Sequence, residues 1–106
     1  MRYITITTWE LTSGADFALT VKQVEAVRLP ALLALGAERV QLVQTSDRTV
    51  AAISEWPDKP TRDAAERAIQ EVRDKVRRED FTRMTGEMGG KVVAGLSAEE
   101  ARALAG

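Results

Sequence analysis

Residues 38–56 read ERVQLVQTSDRTVAAISEW. Two runs rich in Val, Leu, Ile and Thr, Glu38–Thr45 and Arg48–Trp56, flank the polar pair Ser46-Asp47. Strand-length runs bounded by turn residues are the pattern of a β-hairpin. A two-residue turn on Ser46-Asp47 sets Val43 opposite Val50 and Gln41 opposite Ala52. One face then reads Val40, Leu42, Ala51 and Ile53, which is aliphatic and suits helices. The other reads Gln41, Val43, Ala52, Ser54 and Trp56, which is mixed and small. A slip of one residue on one strand would scramble these faces, because strand side chains alternate.

The flanking segments set the topology. Ahead of the hairpin, Tyr3–Leu11 alternates as a strand, with Ile4 and Ile6 on one side and Tyr3, Thr5, Thr7 and Trp9 on the other. Ala15–Leu35 follows, with Phe17, Val21, Val24, Arg28, Leu32 and Leu35 at helical spacing and Arg28 as the one break. Ser13-Gly-Ala-Asp16 reads as its capping box. Pro30 predicts a kink or a fresh short helix, and Gly36 a C-terminal stop.

After the hairpin comes Pro57-Asp-Lys-Pro60, then a helix over Arg62–Asp80 capped by Thr61, with Ala65, Ile69, Val72 and Val76 as its buried stripe. Asp63–Arg67, Glu71–Lys75 and Asp74–Arg78 read as ion pairs on its solvated side. Phe81 and Met84 are expected beneath the exit of that helix, a last strand at about Met88–Leu96, and a short C-terminal helix at about 98–104 opened by Ser97-x-x-Glu100.

The order is βαββαβ within one domain, residues 1–106. It predicts a ferredoxin-like α+β sandwich: a four-stranded antiparallel sheet with both long helices on one face. The other face is then uncovered. Carrying Tyr3, Val43, Val50, Trp56 and part of the last strand, it is too apolar to leave wet, so a symmetric homodimer is expected.

Composition narrows the chemistry. With 15 basic and 16 acidic residues the net charge is −1, which points to neither nucleic acid nor an anionic membrane as a partner. No apolar run approaches a membrane span, and the Thr-Ile alternation of Tyr3–Glu10 is not a signal peptide. The chain has no Cys, His or Asn. Disulfides, thiolate metal sites and cysteine nucleophiles are therefore excluded, which is compatible with a cytoplasmic location. No metal or other cofactor is expected. Gly86-Glu-Met-Gly-Gly-Lys91 is one residue short of a phosphate-loop spacing and precedes a strand, so Gly89-Gly90 reads instead as a bulge or a close backbone approach.

The Thr-rich opening strand, the helix end Pro30-Ala-Leu-Leu-Ala-Leu-Gly-Ala37 and the strand end Ile53-Ser-Glu-Trp-Pro57 together resemble the dimeric α+β barrel superfamily, and within it the antibiotic-biosynthesis-monooxygenase-like proteins. The resemblance implies a homodimer whose two sheets pack face to face. It implies a function drawn from cofactor-independent oxygenases of polycyclic phenols, haem degraders, isomerase-like or cyclase-like enzymes, or proteins without known activity. The chain lacks the His and Asn of the haem degraders and the Asn common in the oxygenases.

Two classes of function remain open. One is a monooxygenase-like enzyme acting on an aromatic or polyketide-like small molecule, with its catalytic residues unassigned. The other is a non-catalytic small-molecule-binding or structural dimer. The candidate ligand-binding residues are Tyr3, Thr5, Gln41, Ser54 and Trp56, within the barrel or between sheet and helices. Aromatic rings supply broad contact, Ala52 and Ser54 leave room, and Gln41 and Thr5 orient. Trp9 is expected at the opposite end from Tyr3 and Trp56. The commoner role of such aromatics is interface packing. Arg28 and Arg39 are the cations nearest the expected rim, and Glu10 and Glu55 more often form salt bridges than act as acid or base.

Overall fold

A computed structural model describes residues 1–12, 14–79 and 82–105, with side chains 76–79 outside the description. The elements are β1 Tyr3–Leu11, α1 Phe17–Gln23, a π-helical turn Val24–Arg28, α2 Leu29–Ala34, β2 Arg39–Ser46, β3 Thr49–Trp56, α3 Lys59–Ala64, α4 Glu66–Glu79, β4 Thr82–Lys91 and α5 Ala98–Ala105. The strands form one antiparallel sheet in the order β2-β3-β1-β4. This is the ferredoxin-like arrangement. Side chains from the first helical segment (Val24, Leu29, Leu32) and from α4 (Ile69, Val72) meet the same sheet face.

The first helical segment solves its proline problem locally. Pro30 sits in the first turn of α2, where its missing N–H costs little. The preceding turn widens to π geometry, with the Leu29 N–H donating to the Val24 carbonyl. Asp16 caps α1, its carboxylate accepting from the Leu19 N–H at 3.0 Å; the capping box expected from Ser13 lies outside the described residues. Gly36, at φ +115°, ends α2 in a Schellman motif: Ala37 N–H donates to Leu32 O and Gly36 N–H to Leu33 O, each at 3.1 Å.

Several boundaries differ from the sequence reading. The second long helix begins one turn early, at Lys59, and Asp58 is its cap in place of Thr61. Asp58 accepts from both the amide (2.8 Å) and the hydroxyl (2.6 Å) of Thr61. With the extra turn, Asp63 pairs backwards to Lys59 (2.6 Å). The helix's recorded pairs are accordingly base-before-acid, Arg62–Glu66 and Arg67–Glu71 as well, not Asp63–Arg67 and Glu71–Lys75. Val76, the Asp74–Arg78 pair and Phe81 fall outside the described side chains. The last strand is Thr82–Lys91, not 88–96: it pairs with β1 from Leu11↔Thr82 to Tyr3↔Lys91, with a bulge opposite Thr8/Trp9.

The hairpin register also moves. Its turn is Asp47-Arg48, Ser46 pairs with Thr49, and the ladder shifts between Gln44 and Ser46. Hydroxyl contacts Thr45–Thr49 (2.7 Å) and Ser46–Thr49 (2.6 Å) hold that turn. Arg48 anchors it to the loop before α1 through the carbonyls of Ala15 (3.0 Å) and Thr12. Leu42 consequently faces Ala52, and Val43 faces Ala51. The one-residue slip turns β3 over. Val50, Ala52, Ser54 and Trp56 lie beneath the helices beside Val40 and Leu42, while Ala51 and Ile53 join Gln41 and Val43 on the open face. Tyr3, Thr5, Thr7 and Trp9 are opposite Trp56, Ser54, Ala52 and Val50, so they too are on the helix side.

The core is the cluster Ala37, Trp56, Ala65 and Ile69, with Tyr3, Leu32, Leu35 and Val40 packed on it. The open face carries Ile4, Ile6, Val43, Ala51, Ile53 and Met88, with Val43 42% and Met88 67% exposed. Beyond β4 the chain runs on to α5, leaving Val93, Leu96 and Leu104 exposed. The protein measures 53 × 31 × 22 Å. Among the described residues no helix is long and apolar enough to cross a membrane.

Candidate functional site

The cross-strand pairs on the covered face run from large to small to large. Tyr3 lies opposite Trp56, Thr5 opposite Ser54, Thr7 opposite Ala52 and Trp9 opposite Val50. The small pairs in the middle leave the helices nothing to fill against. A cavity of about 60 Å³ results, floored by Thr5, Thr7, Ala52 and Ser54, walled by Trp9 and Trp56, and roofed by Val24, Leu29, Leu32, Ile69 and Val72. Leu42, Arg28, Arg62 and Arg73 complete its lining.

The two indoles differ in their hydrogen bonding. Trp9 Nε1 donates to Thr7 Oγ1 at 2.8 Å. Trp56 is 0% exposed, and its Nε1 has no acceptor among the described residues. A buried donor without a partner costs on the order of 1–3 kcal/mol.

Three arginines reach this space. The Arg28 guanidinium carbon lies 4.4 Å from the Trp9 ring centroid, and that of Arg62 lies 5.8 Å from the Trp56 centroid, both within cation–π range. The Arg62 side chain is only 6% exposed. It meets Glu66 at 2.5 Å and Glu87 at 3.7 Å, and Arg73 bonds both oxygens of Glu87 at 3.3 Å. Hydrogen bonds from Gln70 and Arg62 hold the Glu66 carboxyl below its usual value. Among the described residues the lining contains no Asp, Glu, Lys or Tyr.

Among the residues singled out from the sequence, Thr5, Ser54 and Trp56 line the cavity, and Trp9 closes its far end. Tyr3 packs against the core cluster beside Trp56, with its ring lying against Gly89. Gln41 is exposed on the open face, away from the cavity. Arg39 and Glu55 pair at 3.8 Å, Arg2 also reaches Glu55 at 3.8 Å, and Glu10 pairs with Arg83 at 3.3 Å. Sequence reasoning missed Arg62 and Arg73. The available signal was spacing: Arg62 stands three residues before Ala65 and seven before Ile69, on the apolar stripe itself.

No protein-family model matches the chain. No curated protein matches it either. A crystal structure of a dimeric ferredoxin-like protein from an uncultured marine organism is similar in fold, with a TM-score of 0.69 at 15% sequence identity. The match covers 90% of this chain and 98% of the other.

Proposed function

We propose that this chain is a homodimeric small-molecule-binding protein of the dimeric α+β barrel kind, with its ligand in the cavity between helices and sheet. The observation that carries this reading is the Trp56 indole, fully buried against the cavity with its N–H unsatisfied. Thr5 and Ser54 supply hydroxyls beside it, and the leucines and Ile69 give an apolar roof.

Dimerisation is supported by the open face. Ile4, Ile6, Val43, Ile53 and Met88 form an apolar surface that a second copy would cover, and Leu96 and Leu104 add exposed apolar groups on the C-terminal arm. The similar marine protein is itself described as dimeric.

Binding is favoured over monooxygenase-like catalysis by the lining. A cofactor-independent oxygenase has to remove a proton from its substrate, which calls for a general base in contact with it. Among the described residues, the ionisable side chains lining this cavity are arginines, which stay protonated.

The test is a panel of small aromatic and aliphatic compounds read by Trp emission and melting temperature. Binding that Trp56→Phe or Trp56→Leu abolishes, in protein that still folds, supports the reading. A panel without a single response overturns it.

A further inference from the structure

We infer that the cavity selects a small carboxylate over uncharged molecules of the same shape, with carboxylate oxygens received at the end where Trp56 and Arg62 meet. This rests on the reading of the cavity as a ligand site and names the chemistry that site takes.

The hydrogen-bonding groups around the cavity are biased one way. Three guanidiniums and two indoles donate only; the three hydroxyls of Thr5, Thr7 and Ser54 do either. Thr7 Oγ1 already accepts from Trp9, which leaves its own proton to give. Among the described residues, none in the lining offers a carboxylate or a side-chain amide. An ammonium, or a ligand rich in N–H groups, would meet donors; the carboxylates that pair with Arg62 and Arg73 are not in the lining. A carboxylate brings lone pairs and the opposite charge to the same groups.

Two observations point to that end. Trp56, which lines the cavity, carries a buried Nε1 donor with no acceptor among the described residues. Arg62 lies over the same ring; its hydrogen bond to Glu66 uses one of the five N–H donors a guanidinium carries, and Glu87 is a looser ion pair at 3.7 Å. An arginine partly committed to structural carboxylates is held in place before the ligand arrives, so less side-chain freedom is lost on binding.

The rest of the ligand, a short aliphatic or single-ring tail behind the carboxylate, would lie against Leu29, Leu32 and Ile69.

The experiment compares acetate, propionate and benzoate with acetamide, propionamide and benzamide at constant ionic strength. Calorimetry and the indole N–H resonances of ¹⁵N-labelled full-length protein provide the readout. The amides keep one carbonyl acceptor but lose the charge and carry N–H donors in place of the second oxygen, so the comparison tests the charge and the acceptor bias together. The expected result is a carboxylate bound at least about tenfold tighter than its amide, with the Trp56 N–H resonance moving on binding and the Trp9 resonance moving less. Trp56→Phe keeps a ring and removes the donor; Arg62→Lys keeps the charge and removes the fork. Each should weaken carboxylate binding by about tenfold or more in protein whose melting curve shows it folded.

Amides that bind as well as acids overturn the inference while leaving a ligand cavity in place. So does carboxylate binding that ignores both substitutions. If the carboxylates fail and other compounds bind through Trp56, the inference falls alone. If nothing binds, the ligand reading falls with it.

Discussion

The Arg62 guanidinium lies over the Trp56 ring, 5.8 Å from its centroid, and joins a side chain that is 6% exposed to one that is wholly buried. Its carboxylate partners behave differently. Glu66 and Glu87 keep much of their side-chain surface in water. Truncating the arginine therefore strands no buried negative charge, and the loss is chiefly of packing and ring contact. Arg62→Ala should destabilise the fold by about 1–3 kcal/mol in urea denaturation. Arg62→Met should recover part of that. A loss below about 0.5 kcal/mol for the alanine variant would show that the contact contributes nothing.

Gly89 is required by Tyr3. A Cβ at position 89 would overlap the Tyr3 hydroxyl and come within 2.9 Å of the ring carbon bearing it. Gly89→Ala should cost about 1–3 kcal/mol through overpacking. The same substitution in a Tyr3→Leu background should cost much less, since the obstructing atoms are gone. Equal costs in the two backgrounds would rule out the steric account.

Val43 and Ile53 lie on the open face. Val43→Arg places a charge where a second sheet would pack, so light scattering should show mass shifting from about 23 kDa, twice the 11.6 kDa chain, toward the monomer. Wild-type protein that scatters as a monomer at micromolar concentration would remove the basis for the proposed dimer.

Acid stability should depend on Glu66. Its carboxyl is held below the ordinary 4.5 by the Gln70 and Arg62 hydrogen bonds. A depressed folded-state value means that the contribution is complete above pH 4.5 and is lost as pH falls through the lower, folded value. Glu66→Gln should flatten the acid limb of the stability–pH curve below pH 4.5 and leave its slope at neutral pH unchanged. Added salt should shrink the difference, because half of the Glu66 side chain is in water. An unchanged acid limb would show that other groups dominate it.

Much of the architecture was legible before any coordinates. Alternation of Ile with Thr marked β1, helical spacing around Val24 and around Ile69 marked the helices, and Gly36 marked the end of α2, because each depends on a handful of neighbouring residues. Thr5, Ser54 and Trp56 were also readable as one constellation, since antiparallel pairing of β1 with β3 brings them together on either face.

Local pattern could not decide which face of β3 the helices cover. Ala51 and Ile53 are as apolar as Ala52 and Val50, so the choice fell to the hairpin turn, which is held by the Thr45, Ser46 and Thr49 hydroxyls and by Arg48 reaching the carbonyls of Thr12 and Ala15. With the turn at Asp47-Arg48 the register moves by one residue, and Trp56 lies under the helices while Gln41 stays outside. Arg62 was hidden for a related reason. A charged residue on a helix reads as solvated unless its position on the apolar stripe is matched by partners, and those partners, Glu87 on β4 and the Trp56 ring on β3, come within reach only when the sheet and α3 are packed together. The sequence by itself determined the elements and their order, because hydrophobic spacing and backbone stereochemistry act over a few residues. The tertiary structure alone decided which side of the sheet became the cavity, because that is settled by contacts between residues tens of positions apart.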